Sequence, residues 1–199
     1  MRLLACSDLH GDLGATRRIL AQAGAADVVV VAGDFGTKGQ ETEPVLELLR
    51  ACPRPVVLVP GNHDNLMGLR QYCRDWPTGH LLHGSGITLQ GVPFYGLGGE
   101  VPRSTDELWN LALSERQAAE LLTPCPPNAV LVTHSPPKGH CDRQPDGRSD
   151  GSEAILKCLR AKHPRLHLCG HIDASFGATS TIGDCEIRNL GPVANWFTL

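Results

Sequence analysis

Five times along this chain an apolar run stops at side chains suited to holding a metal. Leu3-Leu4-Ala5-Cys6 leads to Asp8-Leu9-His10, and Val28-Val29-Val30-Val31 leads to Gly33-Asp34. Val56-Val57-Leu58-Val59 precedes Gly61-Asn62-His63-Asp64, Val130-Leu131-Val132 precedes His134, and Leu166-His167-Leu168-Cys169 precedes Gly170-His171-Ile172-Asp173. Short, continuous, β-branched runs are what parallel strands covered on both faces require. Open α/β sheets place their sites at the carboxyl ends of such strands. One metal centre assembled from distant parts of the sequence is the expectation.

The first half alternates strand and helix: strand 3–6, helix 14–24, strand 27–32, helix 42–51, strand 56–60. This is a βαβαβ pattern. Segment 80–98 is Gly-rich with short apolar stretches and predicts short antiparallel strands with tight turns. Ser114-Glu115-Arg116-Gln117 is a capping-box pattern opening a helix at 114–122. A strand at 129–133 leads into a polar loop at 135–150, and Ser152 suits the N-cap of a helix at 153–162. Strands at 166–169 and 184–189 follow. No repeat or linker interrupts the 199 residues, so a single domain, 1–199, is expected.

Composition narrows the classes. At 41% hydrophobic the chain can bury a sizeable core, and a net charge of −3 gives no basic surface for nucleic acid. Trp76, Trp109 and Trp196 are isolated, so no stacking platform for single strands is expected. No apolar run approaches a bilayer span of ~18 residues, and no secretory leader is evident. The eight cysteines are dispersed with no C-x-x-C pair, which in a cytosolic protein means reduced thiols. A cytoplasmic protein without a membrane partner is expected.

A two-metal hydrolytic centre needs hard anionic oxygens, neutral imidazoles, one bridging ligand, and open positions for water and substrate. Asp8, His10, Asp34, Asn62, His134, His171 and Asp173 meet that demand. Gly33, Gly61 and Gly170 let the backbone turn and keep bulk away from the ions. Any one of these motifs alone is a turn or a surface histidine as readily as a ligand set. Their combination carries the weight.

The order D-x-H, G-D, G-N-H-D, a later H and then G-H-x-[H] resembles the calcineurin-like metallophosphoesterase superfamily. Thr133-His134-Ser135-Pro136-Pro137 and Asn189-Leu190-Gly191-Pro192 are similar to its small phosphodiesterase-type branch. The resemblance implies a four-layer α/β sandwich, two central mixed β-sheets flanked by helices. It implies that Asp8, His10 and Asp173 hold a first divalent ion, that Asn62, His134 and His171 hold a second, and that Asp34 bridges them. It implies that a two-metal-activated hydroxide attacks a small phosphoester substrate, with His63 donating a proton to the leaving oxygen or stabilising its charge. Asp64 is expected to orient His63, and Asp12 is a weaker candidate for a supporting role.

Residue 173 departs from the family pattern, which ends in histidine. Asp173 either binds through oxygen, is displaced, or marks a site reduced to binding. Oxygen ligation favours harder ions, so Mn²⁺ is the expected metal, with Fe, Zn, Ni or Mg as alternatives. A phosphodiesterase is the leading function. A phosphomonoesterase and a non-catalytic metal-binding scaffold are the alternatives. No cap domain is evident, so loops 36–42, 65–79, 99–110 and 135–150 are expected to rim an open cleft. Arg103, Lys138 and Arg143 are candidate phosphate contacts.

Overall fold

All five apolar runs form strands, and they divide between two sheets. The structure is a computed structural model and describes residues 1–199. One sheet runs β11 (Asn195–Thr198), β1 (Arg2–Cys6), β2 (Val28–Ala32), β3 (Val56–Val59), β4 (Gly79–Leu81). The other runs β5 (Ser85–Leu89), β6 (Val92–Leu97), β7 (Val130–Thr133), β8 (Leu166–Cys169), β10 (Cys185–Asn189), β9 (Thr179–Ile182). β1 to β4 are parallel, as are β6, β7, β8 and β10; β11, β5 and β9 close their edges antiparallel. Both sheets are therefore mixed.

Strand alternation sorts the core into three apolar layers. Leu4, Cys6, Val29, Val31, Val56 and Leu58 face α1 (Leu13–Leu20), α2 (Thr42–Arg50) and α3 (Leu66–Cys73). Their neighbours Leu3, Ala5, Val28, Val30, Val57 and Val59 turn the other way and meet Phe94, Val130, Val132, Leu166 and Leu168 of the second sheet. Leu131 and Ile187 face α4 (Glu115–Leu122) and α5 (Glu153–Lys162) on the far side. Helix, sheet, sheet, helix is the four-layer order expected.

Several elements differ from the sequence reading. Helix 14–24 stops at Leu20, and a 3-10 turn takes Ala23–Ala25. Segment 80–98 forms the antiparallel pair β5–β6, but β4 joins β3 in parallel and β6 joins β7 in parallel. Residues 65–79, expected as a rim loop, contain α3, whose N-cap Asn65 accepts a hydrogen bond from the Gly68 N–H at 3.0 Å. β9 and β11 are additional. The capping box at Ser114 and the Ser152 cap form as expected. No helix is long and apolar enough to cross a membrane, and all eight cysteines are free thiols.

Candidate metal centre

The ends of β1, β2, β3, β7 and β8 converge. Ligand atoms of Asp8, Asp34 and His134 lie within 4.8 Å of one another, all buried. His10 Nε2 is 3.4 Å and His134 Nε2 is 3.5 Å from the same oxygen, Asp34 Oδ2. Asn62 Oδ1 lies 3.0 Å from His134 Nε2 and 3.1 Å from His171 Nδ1. Six of the expected ligands thus meet, with Asp34 central. Asp173 stands on the wall of the same cleft, exposed, at the start of the 3-10 turn Asp173–Ser175.

Four of these residues sit in the left-handed backbone region: Asp8 (φ 56°), His10 (φ 43°), Asp34 (φ 55°) and His171 (φ 72°). Each costs roughly 1–2 kcal/mol for a non-glycine residue. Bonds between the loops hold the strain. Asp8 N donates to Gly33 O and His10 N to Asp34 O, both at 2.9 Å, and His171 N donates to Asp8 Oδ1 at 3.1 Å. Glycine is compulsory where backbone touches a carboxylate. A Cβ on Gly61 would lie 2.0 Å from Asp34 Oδ1, and one on Gly170 would lie 2.2 Å from Asp8 Oδ2.

The donor set fits a cation. His134 Nδ1 lies 2.8 Å from the Ala32 carbonyl and must donate to it, so in the neutral ring Nε2 carries a lone pair. That lone pair faces Asn62 Oδ1 and Asp34 Oδ2, also acceptors. With Asp34 ionised, three acceptors converge on one point, an arrangement that a positive ion stabilises. The electrostatics agree. Burial pushes Asp8 up to about 7 and, with the neighbouring Asp64 and Asp8 charges, raises Asp34 well above the usual carboxylate range. Burial likewise holds His134 and His171 below the usual imidazole value. These acids resist ionising until a cation arrives, and these imidazoles are already neutral, the form that binds a metal.

The chain matches the model of the calcineurin-like phosphoesterases over residues 1–173. It belongs to that family. Among relatives of this calcineurin-like phosphoesterase, the UPF0046 protein K07C11.7 of Caenorhabditis elegans is 30% identical over 175 residues. The match covers 77% of this chain and 59% of the relative, so the chain spans under two thirds of that protein's length. Two solved structures share the fold. TT1561 of Thermus thermophilus has a TM-score of 0.77 at 20% identity, covering 96% of this chain and 88% of its own. A dimetal phosphatase from Danio rerio has a TM-score of 0.67 at 15% identity, covering 97% and 88%.

His63 lies in the cleft with His10 and His171. Its Nδ1 accepts from the Lys38 backbone N–H at 3.1 Å, which leaves the neutral ring's proton on Nε2. Burial first, then the neighbouring His10 and His171, lower its pKa. Trp109, read from sequence as isolated, stacks on this ring with centroids 4.8 Å apart and planes 25° apart.

The Asp64 expectation needs correcting. Its carboxylate accepts from three backbone N–H groups, Asp34 at 2.9 Å, Gly61 at 2.7 Å and Phe35 at 3.0 Å, and not from the His63 ring. It ties the β2 and β3 loops together, and Lys38 takes the orienting task. Asp12 caps α1, accepting from Ala15 N–H at 2.8 Å. Arg103, Lys138 and Arg143 donate to the carbonyls of Ala112, Ser149 and Gly147, and none lines the cleft. Thr37 Oγ1, 3.2 Å from His10 Nδ1, and Glu100, 3.9 Å from His171 Nε2, are partners the sequence reading missed. Only their place in the folded chain reveals them.

Proposed function

We propose that this protein hydrolyses phosphodiesters with two divalent ions, Mn²⁺ preferred. Asp8, His10 and Asp173 would hold the first ion, Asn62, His134 and His171 the second, and Asp34 would serve both. The observation that carries this reading is the convergence of His134 Nε2, Asn62 Oδ1 and Asp34 Oδ2, three acceptor atoms grouped as ligands of a cation would be. When bound, the ions supply charge neutralisation at the phosphoryl group and acidify the attacking water.

The chain's own residues do the rest. The two carboxylates and the paired imidazoles fix where the phosphoryl oxygens sit. The cleft of about 420 Å³ leaves room for a substrate. His63, with its proton on Nε2, donates a hydrogen bond to the leaving oxygen as charge develops there. The Lys38 N–H fixes that tautomer, which favours charge stabilisation over full proton transfer. Reduced cysteines support a cytoplasmic setting.

The test is hydrolysis of bis-p-nitrophenyl phosphate and p-nitrophenyl phosphate by chelator-stripped protein, with Mn²⁺, Mg²⁺, Zn²⁺ or Ni²⁺ added back and Asp34→Asn as blank. Metal-restored diester cleavage, absent in the blank, is expected. Preference for the monoester would move the assignment to a phosphatase, and no turnover with any ion would favour a binding scaffold.

A further inference from the structure

We propose that Asp173 makes the cleft a charge filter, which favours a reacting phosphate with one negative charge over one with two. The inference rests on the phosphoester reading above and deepens it to a specificity-determining residue.

The wall chemistry carries it. None of the 9 residues lining the cleft is Lys or Arg. Besides His10, Asp34, Asn62, His63 and His171, the lining is Gln144, Pro145, Asp173 and Ala174, three neutral side chains and one acid. Three basic side chains nearby are committed elsewhere: Arg143 to the Gly147 carbonyl, Arg148 to Asp146, and Lys138 to the Ser149 carbonyl. Lys38 sits over the Trp109 ring, on the His63 side of the cleft, where its charge acts on His63. The wall is also fixed. Buried Ser175 accepts from Arg143 N–H and donates to Arg143 O, both at 2.9 Å, pinning the Asp173 turn to the 144–145 loop.

An anion at the Asp173 wall therefore meets no Lys or Arg among the cleft's lining residues, and bound cations supply the main attraction. Three carboxylates, Asp8, Asp34 and Asp173, offset three of the four charges two divalent ions bring. A neutral side chain at 173 would leave the site one unit more positive. A diester is a monoanion at neutral pH, whereas a monoester is a dianion above its second pKa of about 6. The second charge on the monoester meets Asp173 on a wall that carries no Lys or Arg. One added unit of like-charge repulsion across a partly solvated cleft corresponds to roughly a tenfold loss. Glu100 and Asp150, whose charges also act on His171, have the same sign.

The experiment compares the parent with Asp173→His, which keeps a ligating atom but drops the charge, and Asp173→Glu, which keeps both. All are metal-loaded, with metal content measured. Monoester and diester, sharing the p-nitrophenyl leaving group, are assayed at about pH 8, two units above that second pKa. The monoester-to-diester ratio of kcat/KM is expected to rise about tenfold in Asp173→His and stay unchanged in Asp173→Glu. A ratio unchanged or lowered in Asp173→His overturns the proposal. Calorimetric binding of inorganic phosphate against dimethyl phosphate is the arm independent of turnover. Phosphate should gain relative to dimethyl phosphate in Asp173→His only, and equal gains for both ligands would also overturn the filter. If the parent cleaves neither ester, the hydrolase reading fails, while the binding arm still decides the filter.

Discussion

Asp8 stores the conflict that makes this centre. It lies at the end of β1 in a left-handed conformation, 4% exposed, with burial pushing its carboxyl up to about 7. The folded chain therefore holds the Asp8 proton more tightly than the unfolded chain. Its contribution to the stability of metal-free protein is fully present below a pH of 3.8 and is lost as pH rises through about 7. The thermal midpoint of metal-free protein is expected to fall across that window, and Asp8→Asn should flatten the fall; a parent midpoint independent of pH would contradict it. Metal binding should release protons near neutrality for the same reason. His63 tests the other half of the site. His63→Ala is expected to retain metal and lose ~10²–10⁴-fold in kcat, and loss of metal along with turnover would make it a structural or ligand residue. The residue types at the strand ends were legible because each follows an apolar run. The duty of Asp64 was not, because its partners are backbone amides on two other loops.

At the scale of elements, α4 stabilises α5. Glu115, in the first turn of α4, accepts from Ser152 Oγ at 2.8 Å, Glu153 N at 2.9 Å and Ala154 N at 2.7 Å, capping the start of the neighbouring helix. A carboxylate there satisfies free N–H groups and opposes the helix dipole. Glu115→Ala is expected to lower stability by about 1–2 kcal/mol in urea unfolding while kcat stays at the parent value; unchanged stability would show the cap to be idle. Local signals of this kind made α4 and α5 readable to within a residue. α3 was missed because Gly68 and the polar residues around it weaken an eight-residue helix. β11 was missed because four residues, Asn195–Thr198, gain their identity only by pairing with β1 at the opposite end of the chain. β4 likewise reads as part of a Gly-rich antiparallel stretch, yet its three residues complete the first sheet against β3.

On the scale of the whole molecule, the centre joins the two sheets. Asp8, Asp34 and Asn62 follow strands of the first, and His134 and His171 follow strands of the second. Between the sheets lies only the apolar layer of Leu3, Val30, Val57, Val130 and Leu168 with their neighbours. A bound ion adds a polar clamp at one end of that layer, so saturating metal should raise the unfolding midpoint in proportion to its affinity. The family pattern and the five strand ends carried this architecture in the sequence. The backbone strain at four candidate ligand positions was not visible there, since left-handed Asp and His are set by loops meeting in space. The most direct measurement is an anomalous difference map from crystals grown with Mn²⁺. Two peaks are expected on either side of Asp34, ~3.5–4 Å apart, one beside Asp8 and His10 and the other beside Asn62, His134 and His171. A single peak, or none within reach of Asp34, would contradict a dinuclear centre.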